Sequence, residues 1–270
     1  MNLIPRIFNR IKIFADEIRT RFRFIFISKR TFGRNNSSLD ETYRYFQGIY
    51  LFCPRKIKRH RRYFKRAGRG YGEDAFHGAW KKIFDENEIE RALEIGCYRG
   101  QVMSLWSLLK QIKNEKIFVF GISPLDHSGD SVTSYPELDY KQDIEKNFQH
   151  FDLPAPQLMK NYSTDPDAQK CIREGDWDLV YVDGSHDFEI ALQDIENAAF
   201  GLRVGGILAV DDSSLYKDFT LSFGGHPGPS KVIEEFPPNN LVHLLTVGHD
   251  NFFRKVLATQ QTLEKSGFMK

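Results

Sequence analysis

The sequence predicts an α/β chain: a doubly wound, mostly parallel sheet of seven strands that closes with a C-terminal antiparallel hairpin, behind a basic helical N-terminal extension. Three observations predict it. From about residue 90 onward, short apolar runs alternate with amphipathic helical patterns, as repeated βαβ units require. The last apolar runs, in "LVHLLTVGHDNFFRKVLA", flank a Gly-His-Asp-Asn turn and read as two paired strands. Charge divides the chain: residues 1–70 hold 19 Lys and Arg against 4 Asp and Glu, or +15, which leaves −13 on the other 200 residues.

In the extension, Ile4, Ile7, Ile11, Phe14, Ile18, Phe22 and Ile25 recur every three or four residues, with Arg6, Arg10, Lys12, Arg19 and Arg23 around them. That pattern predicts a basic amphipathic helix that packs on the rest of the chain or on a second subunit, or lies on an anionic membrane surface through residues 1–28. The alternating "RFRFIFI" signals an early helix end. The cluster "RKIKRHRRYFKRAGR", 55–69, is a solvated basic face or a grip for an anionic sugar-phosphate; no nucleic-acid-binding signature accompanies it. The domain boundary is set between 1–69 and 70–270, where "GRGYGEDAFHGAWKKIFDE" begins a helix at Glu73 or Asp74 with Phe76, Trp80 and Phe84 on one face.

Strands are then predicted at Ala92–Cys97, Ile117–Ile122, Gln157–Lys160, Leu179–Asp183 and Ile207–Asp211, with helices at Gln101–Ile112, Tyr140–His150, Pro166–Arg173 and Phe188–Gly201. "SFGGHPGPSK", 222–231, reads as a shaped surface loop in which His226 either faces an acceptor or only completes a turn. A chain of 270 residues with 41% hydrophobic content can bury a full core. No stretch offers the roughly 20 uninterrupted apolar residues of a spanning helix, and charges interrupt the N-terminal apolar run, against a secretory signal. Three well-separated cysteines, Cys53, Cys97 and Cys171, fit a reducing compartment and neither a disulfide framework nor a structural zinc site. A cytoplasmic location follows, with peripheral contact at the membrane face as an option.

Ligands of an open parallel sheet bind beyond the carboxyl ends of its strands, so chemistry is sought there. "ALEIGCYRGQ" ends the first strand with Glu94, Gly96 and Gly100: the first glycine makes a tight turn and the second permits close approach at a helix N-terminus. Glu94 would repel a pyrophosphate and suits a ligand with an amino group or ribose. The third glycine of a dinucleotide fingerprint is missing, which argues against a nicotinamide-dependent oxidoreductase.

"EIGCYRG" resembles the first motif of class I S-adenosylmethionine-dependent methyltransferases. "WDLVYVDGSHDFEIALQDIENAAFGLRVGGILAVDDSS" resembles their fourth-to-fifth-strand region, nearest the macrocin O-methyltransferase and cephalosporin-hydroxylase-like branch. The resemblance covers roughly 70–257 and implies a Rossmann-like domain that binds S-adenosylmethionine and methylates a hydroxyl of a sugar, glycan or other small molecule. By it, Glu94, Gly96, Cys97, Tyr98 and Gly100 line the cofactor. Ser123, in "GISP", stands where the family usually has an acid on the ribose, with Asp126 or His127 to compensate. Ser163, in "KNYSTDP", stands where the adenine is contacted.

Asp183 at one strand end and Asp211 with Asp212 at the next would bring three carboxylates together, a repulsion that a hard divalent cation resolves; equally, "DDSS" is good turn chemistry. Catechol-type O-methyltransferases bind Mg²⁺ at matching positions, so the resemblance implies a metal on Asp183, Asp211 and Asp212. It also implies that His186, three residues after Asp183, is the general base beside the cofactor, with Asp183 as the alternative; the bland reading has the Ser-His turn cap the next helix. A non-catalytic scaffold with a vestigial cofactor pocket, docked on a membrane or glycan complex, is the rival of another class. Homo-oligomerisation is left open.

Overall fold

The computed structural model describes residues 38–127 and 135–257; the amphipathic pattern of residues 4–25 lies outside them. The chain begins with α1 (Leu39–Phe52), started by a capping box between Ser38 and Glu41, and α2 (Arg55–Lys65). Then come α3 (Asp74–Glu86), β1 (Arg91–Ile95), α4 (Gln101–Ile112), β2 (Phe118–Ser123), α5 (Tyr140–His150), β3 (Gln157–Lys160) and α6 (Pro166–Glu174). β4 (Trp177–Val182), α7 (Phe188–Gly201), β5 (Leu202–Val210), α8 (Pro227–Glu235), β6 (Leu241–Val247) and β7 (Asp250–Lys255) complete it.

The seven strands run in the order β3-β2-β1-β4-β5-β7-β6, parallel through β5 and antiparallel at the β5–β7 and β7–β6 pairs. The predicted doubly wound sheet with its closing hairpin is therefore observed. Strand order reverses between β1 and β4, so their carboxyl ends flank the crevice where such sheets bind ligands.

Each face of the sheet carries its own apolar layer. On one, Trp80 of α3 meets Trp106, Tyr181 and Phe252 edge-on, each with ring centroids 5.3 Å apart. On the other, Ala168 and Ile172 of α6, Ile195 and Ala198 of α7 and Val232 of α8 cover Leu93, Val180 and Leu208. Helices α1 and α2 belong to the first layer: Tyr43, Phe46, Tyr50, Ile57 and Phe64 are buried in the same cluster as Trp80 and Trp106. The backbones of α1 and α3 touch at Gly78, where a Cβ would stand 2.1 Å from the Phe46 carbonyl. Residues 39–65 of the basic segment thus share a core with the sheet, and the boundary drawn after residue 69 does not divide two cores.

Two elements differ from the sequence reading. β5 starts at Leu202, directly after α7, rather than at Ile207, and its pairing with β4 shifts register in the glycine-containing stretch. The 222–231 loop becomes α8 from Pro227, because proline at the first helical position supplies a ready φ and lacks only an N–H that would have had no partner.

Candidate active site

Beyond β1 the chain turns at Gly96, with φ +90°, where a Cβ would fall 1.8 Å from the Asp183 carbonyl. Only glycine lets the ends of β1 and β4 close to this distance. Gly100, with φ +74°, then starts α4 without a side-chain cap, leaving first-turn N–H groups for a ligand. Glu94 engages that first turn itself. It is 2% exposed, accepts a hydrogen bond from the Met103 amide at 3.2 Å, and has its carboxyl pushed well up by burial and by the charge of Asp211. Cys97 is buried beneath the turn with its thiol 3.7 Å from the Glu94 carbonyl. Tyr98 takes φ +39° and donates to the Gly68 carbonyl at 2.9 Å, tying the turn to the segment after α2. Of the five residues expected to line the cofactor, Gly96, Tyr98 and Gly100 shape the open loop, while Glu94 and Cys97 support it from below.

Ser123 closes β2, and its Oγ accepts from the Leu125 amide at 3.4 Å. Asp126 lies nearby, 3.8 Å from Lys160, and His127 is exposed. Ser163, after β3, donates to Asp194 Oδ2 at 2.9 Å. Asp194 is fully buried in α7; burial raises its carboxyl to about 7 against the opposing Ser163 bond, and its other oxygen has no hydrogen-bond partner.

The densest constellation gathers Asp183 after β4, Asp211 and Asp212 after β5, and the turn before β7. A cavity of ≈ 10 Å³ lies among Asp183, Ser185, His186, Asp211 and Asp212, room for about one water molecule. Asp183 and Asp250 both carry carboxyls pushed well up, first by burial and then by the charge of Asp211. Burial alone would raise Asp211 too, but His249 and hydrogen bonds with Asp250 and Asp183 outweigh it and bring Asp211 to about 2. Three carboxylates thus crowd one buried point, where like charges oppose one another. Asp250 is 1% exposed, and no N–H donor reaches either of its side-chain oxygens.

Histidines surround this cluster. His186 Nε2 stands 3.0 Å from Asp212 Oδ2, and His249 Nε2 is 3.2 Å from Asp211 Oδ1 and 3.9 Å from Asp212 Oδ1. Capping of α7 falls to Asp187, whose carboxylate accepts from the Glu189 and Ile190 amides, so His186 is free of that duty. Asp212 adopts φ +51°, an uncommon conformation for a side-chain-bearing residue.

Among the described residues, Asp211, Asp212 and His249 place ligand atoms within 4.8 Å of one another. The His249 ring nitrogen Nδ1 lies 3.1 Å from the Phe223 carbonyl. As the donor there, it leaves Nε2 turned on the two carboxylates, the usual arrangement of a metal-ligating histidine. The donor set therefore fits a divalent cation. His249 and Asp250 were missed by the sequence reading because "GHDN" carries ordinary hairpin-turn chemistry; only the β5–β7 pairing brings them to Asp211.

Residues 93–213 match the family model described as a methyltransferase domain. No curated protein matches the sequence. Among solved structures, the SAH-bound methyltransferase PaMTH1 of Podospora anserina is similar at TM-score 0.52 and 14% identity, over 75% of this chain and 88% of that one. A Staphylococcus aureus protein provisionally described as a caffeoyl-CoA O-methyltransferase gives TM-score 0.51 and 14% identity, over 73% and 91%. A Klebsiella pneumoniae protein provisionally described as an O-methyltransferase gives 0.50 and 16%, over 77% and 94%. Together these findings bear out the resemblance to class I methyltransferases.

Proposed function

We propose that this chain, whose residues 93–213 match a methyltransferase-domain model and whose fold is similar to that of solved methyltransferases, moves the methyl group of S-adenosylmethionine to a hydroxyl of a small-molecule or glycan acceptor. The observation that carries the reading is the meeting of His186, Asp183, Asp211 and Asp212 beside the Gly96 turn. Glycine at 96 lets the turn after β1 close on the Asp183 carbonyl, and glycine at 100 takes the positive φ with which α4 begins, which sets the helix N-terminus at the strand end where a nucleoside ligand would bind. When bound, the methyl donor supplies an electrophilic carbon, and a divalent cation on Asp211, Asp212 and His249 would lower the pKa of the acceptor hydroxyl.

The protein's own groups do the rest. Asp212 Oδ2, 3.0 Å from His186 Nε2, fixes the ring and stabilises it once protonated. His186 is part-exposed, so it can take the acceptor proton and pass it to solvent. Asp183 is held among the buried carboxylates, against Asp211, while His186 reaches solvent, which favours His186 over Asp183 as the base. The sequence reading put Asp183 on the metal with Asp211 and Asp212; among the described residues the set that holds both of these, with ligand atoms within 4.8 Å of one another, has His249 in its place, and Asp183 is assigned to a position beside that set. Ser163 and Ser123 stand at the ends of β3 and β2 for the adenine and ribose, and Asp194 orients the Ser163 hydroxyl.

Magnesium is the cation this reading favours, since carboxylate oxygens dominate the set. No helix among the described residues is long and apolar enough to cross a membrane; contact with a membrane face through residues 1–28 remains a proposal from sequence, as do a cytoplasmic location and a homo-oligomer. The test is label transfer from methyl-labelled S-adenosylmethionine to a panel of sugar, phenol and polyketide hydroxyls. His186→Ala is expected to lower turnover about 100-fold or more, the usual contribution of a general base. Full turnover in both His186→Ala and Asp211→Ala would reject the assignment.

A further inference from the structure

We infer that the outer face of α2 is a docking surface for an anionic lipid bilayer. Arg55, Lys56, Arg59, Arg62, Lys65 and Arg66 are all exposed along it. Arg55, Arg59 and Arg62 recur at i, i+4 and i+7 and so form one stripe about 10 Å long, which Arg66 extends just past the helix end. On the opposite side Ile57, His60 and Phe64 are fully buried, so packing fixes which way the stripe faces.

Nothing within the described chain offsets these charges. Residues 42–72 hold ten Lys and Arg and no Asp or Glu. Among the described residues none of the six exposed cations has an ion-pair partner; the pair that α2 does make, Arg61 with Asp74 at 3.0 Å, uses a buried arginine. Two further features cost stability. Like charges at i and i+4 repel along the helix. Arg55 and Lys56 stand in a first turn with no acid and no side-chain cap, at the end where the macrodipole disfavours cations. Such a stripe weakens the helix by itself and gains only from anions outside the chain.

A bilayer suits the stripe better than a nucleic acid does. Clusters of about four to eight Lys and Arg on an amphipathic helix match the phosphates and carboxylates of anionic headgroups. Single-stranded nucleic acid needs open aromatic faces for its bases, and those of α2 are engaged: Tyr63 stacks on His150 at 4.2 Å and carries Arg69 over its ring at 4.7 Å, while Phe64 is buried. Phe52, three residues before Arg55, is 51% exposed and adds an apolar side chain of the kind that enters the interface. The stripe also leads to the crevice. Two residues after Arg66, the Gly68 carbonyl accepts from Tyr98, in the loop after Gly96, at 2.9 Å. Docking therefore brings that loop near the headgroups; resting on the transfer reading above, this favours an acceptor held at the bilayer surface.

Cosedimentation of the full chain with vesicles tests the surface, comparing phosphatidylcholine alone with phosphatidylcholine containing phosphatidylserine. The variant carries Arg55→Gln, Arg59→Gln and Arg62→Gln together; glutamine keeps helix propensity, and a cooperative urea transition shows that the variant is folded. Each cation near an anionic surface contributes about fivefold to binding, so the variant should bind the serine-containing vesicles about 100-fold more weakly at low salt. High salt should release the wild type. No binding by the wild type, or equal binding by the two proteins, would overturn the inference, including the case in which only affinity for an oligonucleotide falls. Absent methyl transfer with stripe-dependent vesicle binding intact would count against the transfer reading alone.

Discussion

Acid should loosen the contact between α2, α3 and α4 through one buried histidine pair. His60 Nδ1 is 3.2 Å from His77 Nε2, His60 Nε2 is 2.9 Å from Ser104 Oγ, and His77 Nδ1 is 3.1 Å from the Glu73 carbonyl. With His77 Nδ1 donating to the Glu73 carbonyl, its Nε2 is left to accept from His60 Nδ1, an arrangement that needs both rings neutral. Burial holds His77 down to about 3, helped by the Arg61 charge, and holds His60 well below its usual value. An unfolded histidine titrates near 6.5, so between that pH and 3 the unfolded chain binds more protons and stability falls as pH falls. At 1.36 kcal/mol per pH unit, His77 alone costs about 2 kcal/mol at pH 5 and up to about 5 kcal/mol at pH 3. His77→Gln removes the titrating ring. Urea unfolding followed by tryptophan fluorescence, which reports on the buried Trp80, Trp106 and Trp177, gives both stabilities at pH 7.5 and pH 5. Other groups cancel in the difference between proteins, so the variant should lose about 2 kcal/mol less over this interval. Equal losses would refute the reasoning.

Asp194 has the opposite sign: its folded value of about 7 lies above the unfolded one, so stability is lost as pH rises from about 4 to 7. Asp194→Asn, which can still accept from Ser163, should therefore gain on the wild type by up to about 4 kcal/mol at pH 8 and little at pH 4; a pH-independent difference in urea midpoint would count against it. Trp80→Ala empties the space at the junction of Trp106, Tyr181 and Phe252 and should cost about 3–5 kcal/mol in the same assay.

Sequence patterns located the scaffold well where local chemistry fixes it. α4, α5 and α7 begin and end where their periodicity predicts, and Asp139 and Asp187 cap the last two as residues of that type do. Asp183, His186, Asp211 and Asp212 were legible because strand ends in a parallel sheet are known positions for ligands. Partners supplied by distant pairing were not legible: Asp250 and His249 reach Asp211 through an antiparallel strand formed some 40 residues later. His226 was singled out in its loop, but its place beside His186 follows only from α8 beginning at Pro227. Asp194 looked like any polar position on a helix until packing placed it under Ser163. Glu94 was read toward the ligand, yet α4 offers it an amide that no other group satisfies.

Binding of S-adenosylhomocysteine, measured by calorimetry on the wild type and on Gly96→Ala, tests the central claim most directly. Alanine at a φ of +90°, with its Cβ 1.8 Å from the Asp183 carbonyl, must force β1 and β4 apart at the crevice. The account predicts one equivalent bound by the wild type and at least roughly tenfold weaker binding by the variant. No binding by the wild type, or equal affinity in the two proteins, would contradict it.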